Sequence, residues 1–213
     1  MKKLIFIILT VFSFNAFSQG IGDIAPEKEL IKFPPNSIGF DIMFSEGGFG
    51  LGGFYRHSMT NNLSYFLEFS ISEAKDQNEM EYVNYWGNTT VYGKKNRVFV
   101  MPLLAGLSYR VFSSNLGDNF RPFISAALGP STIVTTPYER EFFNSFRMAQ
   151  ARYTAGGYIG IGANFGSDQK ALMGISFRYY VTHFFNQGVE SLAGRFQKDL
   201  GGFYIVLNIG SMY

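Results

Sequence analysis

Residues 63–72, which read LSYFLEFSIS, decide the fold. Large apolar side chains occupy every second position, and the intervening positions hold Ser, Glu and one Phe. Because successive side chains of a strand point to opposite faces, this period of two predicts a β-strand with one apolar face. Residues 171–184, ALMGISFRYYVTHF, repeat the pattern and place Arg178 on the polar face. Both segments predict a chain built from strands.

Working outward from these segments, the same alternation and the turn signals between them predict eight strands. The predicted strands are 37–45, 49–58, 63–73, 96–111, 120–132, 151–166, 171–184 and 201–213.

The connections between the predicted strands differ in length in a regular way. They are short after the second, fourth and sixth strands and long after the third, fifth and seventh, with a short first connection as the exception. Short periplasmic turns alternating with long external loops are typical of outer-membrane barrels whose two termini face the periplasm. The sequence therefore predicts an all-β fold, a single antiparallel up-and-down transmembrane barrel of about eight strands. The alternative is a soluble, lipocalin-like barrel with its large apolar residues inside.

Charge placement favours the membrane barrel. All Lys residues after position 18 fall in the tail, loops or turns, whereas a soluble barrel wets its outer face with charges along its strands. Six strand charges fall on the more polar register of their strands, and facing lipid near the midplane an Arg would cost about 2–4 kcal/mol. We therefore predict a polar cluster in the lumen, either a salt-bridged plug or the lining of a narrow anion path. The six residues are Asp41, Arg56, Glu68, Arg110, Arg121 and Arg178.

The start of the chain predicts export. Lys2 and Lys3, an apolar run and a small-x-small site before Gln19 predict a signal peptide over residues 1–18. A short periplasmic segment over 19–36 and the barrel over 37–213 complete the predicted organisation. Cleavage removes two Lys and no acid from a chain with 18 basic and 16 acidic residues, so nothing in the charge favours nucleic acid. The chain has no Cys, which excludes disulfides and thiolate sites.

The C-terminal segment carries a family resemblance. Residues 201–210 read GGFYIVLNIG, and apolar side chains alternate towards the terminal Tyr213, with Ser211 departing from the pattern. This resembles the β-signal that the outer-membrane insertion machinery recognises. The chain as a whole resembles the eight-stranded outer-membrane barrels of the OmpA transmembrane domain, OmpX and OmpW types, and the small barrels of Bacteroidetes-type bacteria. The resemblance implies a bacterial outer-membrane location, with membrane lipid and lipopolysaccharide around the wall.

The long loops hold the candidate contact residues. Aromatic side chains stand there among charges, which suits adhesion, an unknown protein partner or a lid, or alternatively the aromatic girdle at the membrane interface. The six candidates are Tyr82, Tyr85, Trp86, Phe142, Phe143 and Phe146.

The two histidines give no predicted active site. His57 and Ser58 are adjacent on a strand and so point to opposite faces, and no Ser or acid stands at a telling spacing beside His183. We therefore predict no catalytic residue, no metal site and no cofactor. The expected role is structural or partner-binding through the loops. A narrow porin-like channel is the first alternative, and an enzyme that modifies lipid A is the second.

Overall fold

The computed structural model describes residues 33–76, 78–83, 85, 87, 89–113, 116, 119–166, 168–185 and 187–213. The predicted signal peptide, most of the predicted 19–36 segment and the loop candidate Trp86 lie outside the described residues.

Twelve strands and two short helical turns make up the described chain. The strands are β1 (Asn36–Ser45), β2 (Gly48–Ser58), β3 (Leu63–Ala74), β4 (Glu81–Val83), β5 (Thr89–Val91), β6 (Asn96–Arg110), β7 (Phe120–Pro137), β8 (Gln150–Phe165), β9 (Ala171–His183), β10 (Val189–Glu190), β11 (Phe196–Gln197) and β12 (Asp199–Met212). The helical turns are α1 (Phe142–Ser145) and a 3-10 turn (Phe146–Met148).

Eight of these strands close into one antiparallel barrel in the order β1-β12-β9-β8-β7-β6-β3-β2. The predicted eight-stranded all-β barrel is thus confirmed. The remaining strands form two small hairpins, β4 with β5 and β10 with β11, inside long loops for which the sequence predicted no strand. Among the described residues, no helix is both long enough and apolar enough to cross a bilayer.

The fifth predicted strand, 120–132, ends too early. β7 continues to Pro137 because its last residues pair on both sides: Ile133 lies opposite Val100 of β6 and Arg152 of β8. This pairing extends the wall at the long-loop end of the barrel. The other predicted boundaries lie within two residues of the observed ones, which is the usual uncertainty of strand ends.

The faces of β3 follow the predicted alternation. Leu67 and Phe69 are 49% and 43% exposed on the outer wall, whereas Phe66 and Glu68 are 5% and 2% exposed inside. The large apolar residues of the other barrel strands are likewise exposed outside, among them Phe40, Leu107, Ile159, Phe177 and Ile205. This arrangement is that of a membrane barrel and is opposite to the soluble alternative.

Buried apolar side chains inside the barrel pack in three clusters. The first, at the long-loop end, consists of Ala74, Val98, Val100, Ile133, Phe184, Val189 and Leu200. The second, near the middle, consists of Met43, Phe66, Leu104, Ala127, Tyr158, Tyr180, Tyr204 and Val206. The third, at the short-turn end, consists of Phe54, Leu172 and Met212, with Phe33 packed against them.

Both ends of the described chain meet at the short-turn end of the barrel. The amide of Asn36 donates to the carbonyl of Tyr213 at 3.1 Å, and the amide of Tyr213 donates back at 2.9 Å. These bonds complete the ladder between β1 and β12, so the barrel has no open edge, which a membrane-spanning sheet requires.

Candidate functional site

Three of the six predicted lumen charges meet inside the barrel. Arg178 Nη1 lies 2.8 Å from Glu68 Oε1, and Arg178 Nη2 lies 3.0 Å from Asp41 Oδ2. In the barrel order, β9 and β3 are separated by three strands on either side. The Arg178–Glu68 contact therefore spans the bore between opposite walls. All three side chains are at most 3% exposed.

Two tyrosines complete the surroundings of Glu68. Tyr180 donates to Glu68 Oε1 at 2.8 Å and Tyr158 donates to Glu68 Oε2 at 3.3 Å. Arg178 donates to Tyr180 Oη at 3.0 Å, and its guanidinium lies 4.9 Å from the centre of the Tyr158 ring. A buried carboxylate is costly unless several donors satisfy it, and here one cation and two hydroxyls do so.

The Asp41 side of the cluster is held by a second chain of hydrogen bonds. Asn208 Nδ2 donates to Asp41 Oδ1 at 2.6 Å, and Ser176 Oγ donates to Asn208 Oδ1 at 3.3 Å. Arg178 Nε donates in turn to Ser176 Oγ at 3.1 Å. Residues 176, 178 and 180 all point inward because they alternate along β9. One strand thus supplies the centre of the network, which we call the bore cluster (Asp41, Glu68, Tyr158, Ser176, Arg178, Tyr180 and Asn208).

Among the other three predicted lumen charges, Arg56 lies close enough to Asp41 and Glu68 to interact electrostatically with both. The Arg56 guanidinium stands 5.5 Å from the Phe54 ring centre and 5.6 Å from that of Phe123. Arg121 lies 3.9 Å from the ring centre of Phe33, and Arg110 is half-buried at the short-turn end of β6. The predicted set therefore includes an ion-paired centre and two arginines, Arg56 and Arg121, that lie over aromatic rings.

The partners of the bore charges were not predicted as site residues. Tyr158, Tyr180 and Asn208 do fall on inward registers that the alternation in the sequence reveals. Which of them reach Glu68 or Asp41 depends on strand order and stagger around the closed barrel, which the alternation alone does not contain.

At the long-loop end, the loops after β3 and β9 are joined by their backbones. The Lys95 amide donates to the Ser191 carbonyl at 2.7 Å, and the Ala193 amide donates to the Gly93 carbonyl at 2.9 Å. The loop after β9 also places Phe184 and Val189, 4% and 1% exposed, in the apolar cluster at this end. The two loops together form a cap over the barrel mouth.

Charged side chains reinforce this cap. Lys94 Nζ lies 2.8 Å from Glu79 Oε2, Ser191 Oγ donates to Glu79 Oε1 at 2.6 Å, and Arg195 Nε lies 3.3 Å from Asp76 Oδ2. Burial acts to raise the pKa of Glu79, but the hydrogen bonds from Lys94, Ser191 and the Asp76 backbone outweigh it and hold that pKa below its ordinary value.

The aromatic loop candidates separate into two places. Tyr82 and Tyr85, with the neighbouring Tyr92, stand on the β4–β5 hairpin and are 55%, 96% and 89% exposed. Phe142 and Phe146 instead pack on Phe99 of β6, with ring centres 6.2 and 5.9 Å away, beside the exposed Phe143.

The structure gives His183 an acidic neighbour that spacing along the sequence did not indicate. Its Nδ1 lies 2.6 Å from Asp199 Oδ1, because the register of β9 and β12 places the two residues side by side on the outward face at the long-loop rim. Spacing along the chain cannot show such a cross-strand pair. His57 Nδ1 lies 2.7 Å from Asn36 Oδ1 at the opposite end. Among the described residues, no three His, Asp or Glu side chains converge as metal ligands would.

The chain has the fold of the small eight-stranded outer-membrane β-barrels, with a closed barrel, an apolar outer wall and buried charges in the bore. Neisserial surface protein A matches over 84% of this chain and 94% of its own, with a TM-score of 0.51 and 9% identity. The N-terminal barrel domain of Pseudomonas aeruginosa OprF covers 84% of this chain and 98% of its own (TM-score 0.44, 15% identity). The Yersinia pestis outer membrane protein Ail covers 84% and 99% (TM-score 0.46, 14% identity). No protein-family model and no curated protein sequence matches the chain. The predicted resemblance is confirmed at the level of the fold.

Proposed function

We propose that this chain is an outer-membrane barrel with a closed lumen, and that its role is structural or partner-binding through its external loops. The bore cluster is the observation that supports closure most strongly. Arg178 bridges opposite walls, and apolar layers lie above and below it. An eight-stranded barrel is just wide enough for side chains to fill, so a bonded crosspiece leaves little room for solute.

A planar-bilayer recording of the refolded protein tests the closed lumen. We expect no steady conductance steps from the wild-type protein, while a known porin in the same bilayer gives steps. The Glu68→Ala/Arg178→Ala variant removes the crosspiece, and we expect it to leak ions if it still folds on an unboiled gel. Regular wild-type steps would reject closure and favour the narrow-channel alternative.

The orientation of the barrel is part of the proposal. The turns after β2, β6 and β8 and both ends of the described barrel share one end, and the capped loops, the β4–β5 hairpin and the short β1–β2 turn share the other. Outer-membrane barrels place their short turns in the periplasm and their long loops outside. We therefore assign the short-turn end to the periplasm and the cap to the cell exterior.

The β4–β5 hairpin is the proposed contact surface for a protein partner. It exposes Tyr82, Tyr85 and Tyr92 beyond the rim of a rigid wall, and tyrosines are enriched at protein interfaces. A photo-crosslinker at position 92 in intact cells should yield a discrete adduct that is lost when Tyr82 and Tyr85 are changed to Ser. The same crosslinker at Asp168, in a short turn, is the control.

The last strand is the proposed contact with the insertion machinery. β12 places Phe203 and Ile205 on the outer wall and ends beside Tyr213. Apart from Ser211, this apolar alternation ending in an aromatic resembles the recognition signal, and that resemblance supports the proposal. Deleting Tyr213 should reduce insertion of the barrel into the outer membrane, measured as the fraction of folded protein in purified membranes.

The His183–Asp199 pair supports a second candidate function, hydrolysis of a lipid ester. The pair faces outward above an apolar groove of about 400 Å³ whose lining includes Gly157, Ile159 and Val181. With its Nδ1–H held by Asp199, His183 can take a proton from water at Nε2 while the water oxygen attacks an ester carbonyl. The products are a free fatty acid and an alcohol. Within the described part of the chain, no serine hydroxyl is hydrogen-bonded to His183.

Mass spectrometry of lipopolysaccharide incubated with refolded protein tests this candidate. Release of fatty acid that is lost in both His183→Gln and Asp199→Asn would support it. No release by the wild-type protein would reject it and leave the structural role.

A further inference from the structure

The loop between β7 and β8 contains a helical segment that lies against the outer wall of the barrel. Phe99 is on the outward register of β6, since its neighbours Val98 and Val100 are 1% and 8% exposed inside. The rings of Phe142 and Phe146 pack on Phe99 at 6.2 and 5.9 Å. The aromatic face of the segment, at Phe142 and Phe146, is therefore continuous with the outer wall, while Met148 lines a pocket beside Val189 and Glu190 of the cap.

This segment exposes a dense apolar surface. Phe142, Phe146 and Met148 remain 43%, 46% and 52% exposed despite their contacts, and Phe143 is 80% exposed. Within the segment, Ser145 is the buried side chain, and its hydroxyl donates to the Phe142 carbonyl at 2.6 Å. The small polar residue thus points into the protein and the large apolar residues point away from it. That inversion is expected for an element whose outer surroundings are apolar.

Arginine side chains lie beside the aromatic surface of this segment. The Arg97 guanidinium lies 4.9 Å from the Tyr138 ring centre and 5.8 Å from that of Phe142, and it donates to the carbonyls of Pro137 and Arg140 at 3.2 Å each. Arg97 therefore fastens the start of the segment to the barrel rim. Arg140, which precedes the helical turns, and Arg147, which lies within the 3-10 turn, are both exposed. Aromatic rings with flanking arginines are the composition of a membrane–water interface, where phosphate headgroups meet acyl chains.

We propose that Phe142–Met148 is an interfacial anchor that inserts Phe143 and its neighbours into the outer leaflet of the membrane. Its occupant is lipid, with acyl chains against the phenylalanines and headgroup phosphates near Arg140 and Arg147. We choose lipid over a protein partner because this surface continues the lipid-facing wall at Phe99. The proposed anchor does not depend on whether the lumen is closed. It gives the two aromatic loops different roles: the β7–β8 loop binds lipid, and the β4–β5 hairpin stays exposed to water.

Tryptophan quenching by brominated lipid tests the anchor. Trp86, the only tryptophan of the sequence, is changed to Phe, and Phe143→Trp is added. The variant is refolded into phosphatidylcholine vesicles with and without brominated acyl chains. Leu103→Trp on the lipid-facing wall is the buried control, and Tyr92→Trp on the hairpin is the water-exposed control. Each variant is first checked for the folded band on an unboiled gel, and Phe146→Trp replaces any position-143 variant that fails to fold.

We expect the tryptophan at position 143 to emit at shorter wavelength than that at position 92. We also expect brominated lipid to quench it at least half as strongly as the tryptophan at position 103. Emission and quenching equal to those at position 92 would place the segment in water and overturn the anchor, leaving the aromatic surface to a protein partner.

Discussion

Arg178→Met removes the cation that is ion-paired with both buried acids, Glu68 and Asp41. At distances of 2.8 and 3.0 Å, each gross attraction is about 6 kcal/mol at an effective dielectric constant near 20. Desolvation of the guanidinium offsets much of this, and breaking a buried pair from one side costs about 3–5 kcal/mol net. Because two carboxylates lose their partner, we expect a loss of about 5 kcal/mol in the free energy of unfolding.

Two further variants distinguish an ion-pair effect from simple loss of packing. Glu68→Gln keeps a hydrogen-bonding side chain and leaves Arg178 with Asp41, so we expect a smaller loss of about 3 kcal/mol. The triple variant Asp41→Asn/Glu68→Gln/Arg178→Met removes the three ion-paired charges of the bore cluster and leaves Arg56 beside it. We expect it to lie within about 2 kcal/mol of wild type, because a neutral replacement of a buried ion set removes its desolvation cost as well.

Equilibrium urea unfolding in lipid vesicles measures these differences, with the folded fraction taken from the band shift on unboiled gels. Lys170→Met, an exposed change in a short turn, should stay within about 0.5 kcal/mol of wild type. Two results would refute the reasoning: an Arg178→Met variant as stable as the Lys170→Met control, or a triple variant no more stable than Arg178→Met.

Three further predictions concern packing, the cap and orientation. A Cβ at Gly39 would stand 2.3 Å from the Ile209 carbonyl oxygen, so Gly39→Ala should destabilise the barrel by about 1–3 kcal/mol in urea unfolding. Gly53→Ala is the control and should not destabilise it, because a Cβ at Gly53 would have its nearest neighbouring atom 3.8 Å away. Because the pKa of Glu79 is lowered in the folded protein, its ionisation stabilises the cap above the ordinary Glu pKa of about 4.3, and this stabilisation is lost as pH falls through the folded-state pKa. Hydrogen-exchange protection of the cap, corrected for intrinsic rates, should therefore drop on acidification in the wild-type protein and much less in Glu79→Gln. Since the chain has no Cys, a membrane-impermeant maleimide should label Tyr92→Cys but not Asp168→Cys on intact cells, and the reverse would invert the assigned orientation.

The alternation in residues 63–72 was sufficient to predict the strands, because a barrel wall imposes the same inside–outside rule on every residue. The six strand charges were found by the same rule, and Asp41, Glu68 and Arg178 do meet. The alternation does not show how far each strand is shifted along its neighbours around the closed barrel. The contact of Arg178 with Glu68 joins strands far apart in sequence, and only the closed order of strands brings them together.

The loops were the least predictable part of the chain. Their hairpins and helical turns are two to four residues long, too short for a period to show in sequence. They are held by contacts between loops, such as Lys95 with Ser191, and by packing on the wall, such as Phe142 on Phe99. The pairing of His183 with Asp199 was missed for a related reason, since it depends on the register of two strands.

Membrane fractionation followed by gel electrophoresis with and without boiling tests the central claim, a closed barrel that crosses the outer membrane, most directly. The account predicts that the chain is found in the outer-membrane fraction, survives unboiled detergent as a folded species and changes its migration on heating. A protein found in the soluble periplasmic fraction, with the same migration before and after boiling, would contradict the account.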